Sequence, residues 1–273
     1  MIQGIEVVNQ QGTVLPLSLI EPEDGYIIKD IQGLDPVPAE IVSGSFANSD
    51  GEQFQSSRRG KRNIIVKLDL RYDYGGMSVG ELRAGLYGYF MPKMEILLRF
   101  FDDLIGVVEI RGTVESFSAP LFVQEPEATI SILCFDSDFV APNPTIITGN
   151  TNGTYIETTI NYKGTVETGI VLRVLPNRSL SEITLNHRTP DNVDSSLPFV
   201  GNLVSGDQLI ISTIPGKKGG TLVRDFAERS VLYGISPFAH WITLKPGENY
   251  VRVHVPGNAM PYALEFTTRY GGL

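Results

Sequence analysis

The chain has 273 residues, with 22 Lys+Arg against 31 Asp+Glu, a formal net charge of −9 and a single cysteine. This length accommodates two ordinary domains, and 42% hydrophobic with 19% charged residues is a globular composition that excludes a disordered chain. One cysteine excludes an intramolecular disulfide, the acidic balance argues against binding nucleic acid through its phosphates, and no apolar run approaches the roughly 20 residues that span a bilayer.

The charge is divided. Residues 1–140 hold 11 Lys+Arg against 21 Asp+Glu, a net of −10, and residues 141–273 hold 11 against 10, a net of +1. The break falls in residues 128–144 (ATISILCFDSDFVAPNP). It predicts two β-rich domains, 1–140 and 141–273, that face different surroundings. No basic-then-apolar leader opens the sequence, and the lone Cys134 fits folding in a reducing compartment. The expected place of synthesis is a cytoplasm.

Residues 2–8 alternate and run into Gln10-Gln11-Gly12, a first strand and turn. Residues 26–31 (YIIKDI) give a second strand, stopped by Gly33 and Pro36. Pro36 and Pro38 hold the residues before them extended. Residues 43–63 (SGSFANSDGEQFQSSRRGKRN) are polar and too long for an ordinary connection in a compact domain. Asp50-Gly51 is a hairpin-turn dipeptide. It predicts a two-stranded arm that leaves the body, with a plain surface loop as the alternative. Phe46 and Phe54 are the arm's aromatics, and Arg58, Arg59, Lys61 and Arg62 follow as a basic run. That run is either a solvated face or the patch by which the arm docks on an acidic neighbouring subunit. It lacks the aromatic platform of a single-strand nucleic-acid site.

Residues 63–74 (NIIVKLDLRYDY) predict a strong strand. Ser78 and Glu81 then form an S-x-x-E capping box. Val79, Leu82, Leu86 and Tyr89 share one face of a helix that Pro92 ends. Gly80, Gly85 and Gly88 weaken this helix, so packing must hold it; alternatively they permit close approach to a sheet. Residues 94–101 and 104–114 make a hairpin about Asp102-Asp103, and 128–135 give one more strand. After Pro144, strands are expected at 156–162, 169–176, 181–186, 206–213, 219–225, 239–244, 250–255 and 262–270. Short strands separated by turn signals at this spacing argue for a β-sandwich.

No catalytic constellation accompanies this pattern. His187, His240 and His254 lack metal-ligand spacing. Cys134 sits in an apolar strand and reads as a small buried hydrophobe. There is no GxSxG, phosphate loop or GxGxxG, and Asp102-Asp103 reads as a turn. Asn152-Gly153-Thr154 matches a glycosylation sequon, which without a leader is chance. Trp241 is either a sugar-stacking platform or a core residue, and its apolar neighbours favour the core. No enzyme activity, cofactor or metal is expected.

The order of features resembles the distal tail proteins (Dit) of long, non-contractile phage tails. The residues that carry the resemblance are YIIKDIQGLDP, the polar arm, RGKRNIIVKLDL, the helix followed by MPKMEILLRF, and the junction ILCFDSDFVAPNP. In the second half they are NYKGTVETGIVLRV, LVSGDQLIIST and WITLKPGENYVRVHV. The resemblance implies a mainly β fold: a ring-forming belt domain with one helix and a long arm, and a galectin-like β-sandwich. It implies a ring, usually hexameric, at the end of the tail tube, with arms embracing neighbours. The implied partners are other copies of the chain, the tail tube protein, the tail hub (tail-associated) protein, the tape measure protein, and receptor-binding proteins or fibres. DNA transits the ring without specific binding, and the acidic first half fits a lumen along which DNA slides. The alternatives are a carbohydrate-binding module that uses Trp241, a hydrolase with a site between the halves, and a tail tube protein. A tube subunit would lack residues 145–273.

Overall fold

The computed structural model describes every residue except 23, 48, 49, 73 and 152–156. The sequon Asn152-Gly153-Thr154 and the first residue of the strand expected from 156 lie outside the described residues. The chain forms two compact units: Met1–Pro142 together with Tyr270–Leu273, and Asn143–Arg269.

Unit 1 holds β1 (Ile2–Val8), β2 (Val14–Leu17), β3 (Tyr26–Gln32), β4 (Ala39–Ser45), β5 (Glu52–Arg59), β6 (Arg62–Leu70), α1 (Val79–Phe90), β7 (Glu95–Asp102), β8 (Gly106–Ser118), β9 (Glu127–Cys134) and β10 (Phe139–Val140). Its main sheet runs β2-β1-β7-β8-β9-β6-β3. Every strand in that path pairs antiparallel with its neighbours. The two ends of the path meet at a parallel bridge between Ser18 and Ile27, where Ile28 N donates to Ser18 O at 2.9 Å. This single bridge brings the two ends of the sheet together and partly covers the open edges that invite aggregation.

Alternation decides which side chains line the interior. In β6 the even-numbered residues from Ile64 to Leu70 are buried, and Asn63, Ile65, Lys67 and Asp69 face outward. Ile130, Ile132 and Cys134 of β9 join Phe100 and Ile110 in the same core.

Helix α1 starts as the capping box dictates. Ser78 Oγ accepts from Glu81 N at 3.3 Å, and Glu81 Oε2 accepts from Ser78 N at 2.8 Å. Leu82, Leu86 and Phe90 are buried, with Val79 and Tyr89 packed partly against the core. Gly85 lies against β3: a Cβ there would come within 2.7 Å of Tyr26 Oη, which donates to Leu82 O at 2.7 Å. Close approach accounts for that glycine only, since Gly88 faces open space.

Unit 2 contains β11 (Thr145–Asn150), β12 (Thr158–Tyr162), β13 (Thr168–Gly169), β14 (Val171–Val174), β15 (Leu180–Arg188), β16 (Asp194–Leu203), β17 (Gln208–Ser212), β18 (Gly219–Arg224), β19 (Ala227–Ser230), β20 (Thr243–Leu244), β21 (Gly247–His254) and β22 (Pro261–Phe266), followed by β23 (Arg269–Tyr270). One sheet runs β11-β22-β14-β17-β18-β19 and the other β12-β21-β15-β16. Leu172, Leu209 and Leu264 from the first share one core with Leu185, Leu197 and Val253 from the second. This is a β-sandwich whose strands alternate between core and surface.

The sequence pattern misses β2, β11, β16 and β19, and it overextends β20, where only Thr243–Leu244 is strand. The junction itself contains a strand. Phe139–Val140 is a strand that pairs with β8 and β23. Against the expected boundaries of 1–140 and 141–273, Tyr270–Leu273 return to unit 1. Unit 2 is therefore an insertion within unit 1.

Candidate functional site: a free-standing arm and its anchor

Strands β4 and β5 form a hairpin that pairs with no other strand among the described residues. The register runs from Ala39↔Arg59 to Ser45↔Glu52, with an irregularity after Val42. Gly51 takes φ 93° at the turn, a conformation that glycine adopts freely. All of β5 is exposed, and in β4 only Gly44 is partly covered. Ile41, Phe54 and Phe46 are 67%, 63% and 64% exposed. The Ile41↔Ser57 and Ser43↔Phe54 rungs share a face, which makes Ile41 and Phe54 diagonal neighbours on it. A two-stranded hairpin with nothing packed on either side is marginal in water. Its apolar face gains stability only when something covers it.

The root of the arm is fixed by charge. Arg59 reaches into unit 1 and pairs with the buried carboxylate of Asp138, with Nη2–Oδ2 at 3.0 Å. Arg58 pairs across the hairpin with Glu40 at 2.8 Å, and both side chains are exposed. Lys61 is exposed beside them.

Arg62 corrects the sequence reading. It is not part of an exposed docking patch; it opens β6 and is 1% exposed. Its Nε donates to Ser137 O at 2.8 Å, Nη1 to Gly33 O and Asp35 O at 2.5 and 2.7 Å, and Nη2 to Gly271 O at 2.5 Å. Its guanidinium also lies 4.5 Å from the Phe139 ring centroid. Burial pushes its pKa down, and four carbonyl acceptors compensate for the water it has lost. One side chain thus ties the segment after β3, the loop before β10 and the returning residues 270–273. Sequence reasoning could not separate Arg62 from Arg58, because four near-consecutive basic residues look alike until tertiary structure buries one.

The remaining candidates are structural in their surroundings. Cys134 is fully buried, and burial pushes its thiol up to about 12, far from a reactive thiolate. His187 is buried with Nε2 3.0 Å from Asn249 Oδ1. Asp102 Oδ1 accepts from Leu104 N and Ile105 N at 2.9 and 3.2 Å, as a turn carboxylate does. Trp241 packs partly against the sandwich core, with Lys218 Nζ 5.8 Å from the ring centroid. Among the described residues no His/Cys/Asp/Glu group could hold a metal ion, and no helix is long and apolar enough to cross a membrane.

These features define a mainly β class of protein: a β-sheet unit that carries a free hairpin and an inserted sandwich. Its fold is that of a solved phage protein. The crystal structure of SPP1 Dit (gp 19.1), described as a paradigm of hub adsorption apparatus in Gram-positive infecting phages, matches with a TM-score of 0.69 at 15% identity, over 97% of this chain and 98% of that chain. The phage P2 baseplate in its activated conformation is more distant. With Ca the match has a TM-score of 0.46 at 9% identity and covers 100% of both chains. With Sr it has a TM-score of 0.44 at 10% identity, over 96% of this chain and 97% of that one. No protein-family model and no curated protein sequence matches the chain.

Proposed function

We propose that this chain is a structural subunit of a phage tail tip, six copies of which form a ring that joins the tail tube to the hub. The observation that carries this reading is the arm: a hairpin with exposed Ile41, Phe46 and Phe54 and no packing of its own. A neighbouring copy supplies the missing surface, and Arg59 with Asp138 holds the root of the arm while it reaches outward. The fold shared with SPP1 Dit supports the same reading. The sandwich unit anchors receptor-binding proteins or fibres. The net charge of −10 over residues 1–140 suits a channel wall along which DNA passes without sticking. The tape measure protein ends at the same ring. The protein acts in the virion and not as an enzyme.

Mass measurement by light scattering and negative-stain imaging of the purified chain test this. A six-fold ring with an axial hole is expected. Replacing residues 40–58 with a short Gly-Ser turn, which keeps Arg59 on the buried Asp138, gives a folded monomer. Rings formed by that variant, or a strict monomer of the intact chain at high concentration, sink the proposal.

A further inference from the structure

The chain holds two Asp-Gly steps, Asp24-Gly25 and Asp50-Gly51. An aspartate followed by glycine carries a latent reaction of its own. The glycine nitrogen, unhindered by a side chain, attacks the aspartate Cγ. The N–Cγ bond forms, and the carboxyl hydroxyl leaves with the amide proton as water. Water then opens the resulting succinimide at one of its two carbonyls. Opening at Cγ restores aspartate. Opening at the α-carbonyl leaves the chain linked through Cβ as isoaspartate. Mass is unchanged, one carboxylate remains, and the backbone is longer by one methylene.

The two steps are equal in sequence and unequal in the fold. Ring closure requires the backbone at the aspartate to swing until the glycine nitrogen meets Cγ. Gly25 is buried just before β3, and its carbonyl accepts from Arg71 N at 2.8 Å. A Cβ there would lie 2.6 Å from Leu82 Cδ2, so this glycine is pressed against α1. The step moves only when the start of β3 opens. Asp50 and Gly51 are both exposed, and a Cβ on Gly51 would meet nothing within 4 Å. They lead into β5, which is exposed along its whole length, in a hairpin that pairs with no other strand among the described residues. Segments with few buried contacts open at the lowest cost, so the swing at Asp50 needs only the arm tip to open.

We propose that Asp50 is a self-modification site: the free chain converts it to isoaspartate, while the fold protects Asp24. The consequence falls on the arm. Ser45↔Glu52 is the last rung of the β4–β5 register, and an added methylene just before it changes the span that the turn closes. Turn geometry sets the register of a hairpin, so the converted arm no longer holds Ile41 and Phe54 on one face. The effect on assembly rests on the tail-tip reading; the chemistry does not.

The test incubates the purified full chain and maps isoaspartate by methyltransferase labelling and electron-transfer fragmentation of its peptides. Isoaspartate accumulates at position 50, and at least about tenfold more slowly at position 24, where a buried hydrogen bond must open first. In urea the two positions convert alike. Asp50→Glu, whose ring closure needs a six-membered ring, removes the signal at 50 and leaves the thermal melt unchanged. No isoaspartate at 50 in the folded chain, or equal accumulation at 24, overturns the proposal. Light scattering then compares the aged chain with aged Asp50→Glu. The unmodified sequence loses assembly in proportion to its isoaspartate, and the variant keeps it. Isoaspartate-rich chains that assemble as well as the variant overturn the link to the arm. A variant that never assembles counts instead against the tail-tip reading, and the mapping result stands.

Discussion

Arg58, Arg59, Lys61 and Arg62 show how much a residue's role depends on what the fold puts around it. Arg58 sits in an exposed cross-strand pair, whereas Arg62 satisfies four buried carbonyls. Exposed ion pairs contribute little, while buried polar groups that lose their partner are costly. Arg62→Ala should therefore destabilise unit 1 by roughly 3 kcal/mol or more, and Arg58→Ala should stay within about 0.5 kcal/mol. Urea unfolding checks both; equal effects would show that Arg62 is not the clamp described. His187 gives a prediction in pH. Burial lowers its pKa from the ordinary value of 6.5, with Asn249 opposing and Lys245 assisting. The unfolded state then binds more protons over the interval between the two values. The stability that neutral His187 contributes is complete above pH 6.5 and is lost as pH falls from there through the lower folded value. The melting temperature of unit 2 should drop across that window, and His187→Gln should flatten the drop. None of this was legible in the sequence, where three histidines carried equal weight.

At the scale of elements, the reading from sequence held where local chemistry decides. The capping box, the helix and the hairpin about Asp102-Asp103 all follow from residues within a few positions of one another. It failed for β2 and β16, which contain Pro16 and Pro198. Proline normally argues against a strand, but β16 is the edge of its sheet, where one side of the strand carries no ladder. Strand β19 was missed because all four of its residues are exposed, so it carries no burial alternation to detect. The helix glycines separate by environment in the same way. Gly88→Ala should stabilise α1 by about 1 kcal/mol, the intrinsic difference between the two residues, because nothing lies within 4 Å of its Cβ position. Gly85→Ala should destabilise, since its methyl group would press on the Tyr26 hydroxyl. Thermal melts of the two variants that shift in the same direction would contradict this.

At the scale of the whole molecule, the division of charge and texture foretold two β-rich units but not their connectivity. A terminal run of strand-like residues looks the same whether it completes the second unit or returns to the first. The return rests on contacts far apart in sequence, such as Arg62 to Gly271 O and Leu273 N to Leu34 O at 3.0 Å. Removing residues 270–273 should therefore lower the melting temperature of unit 1 and leave that of unit 2 nearly unchanged, as calorimetry of the truncated chain would show. A loss confined to unit 2 would place those residues with the sandwich after all.

The insertion has a consequence for how such a protein can change. Residues 143–269 fold as one unit, and the chain leaves and rejoins unit 1 beside the β10–β23 pairing. Recombination at those two points exchanges a complete sandwich and leaves the arm, Asp138 and the Arg62 acceptors in place. If the proposed tail-tip role holds, the sandwich can then be replaced while the unit with the arm and its clamp is kept, as a tool holder outlasts its bits.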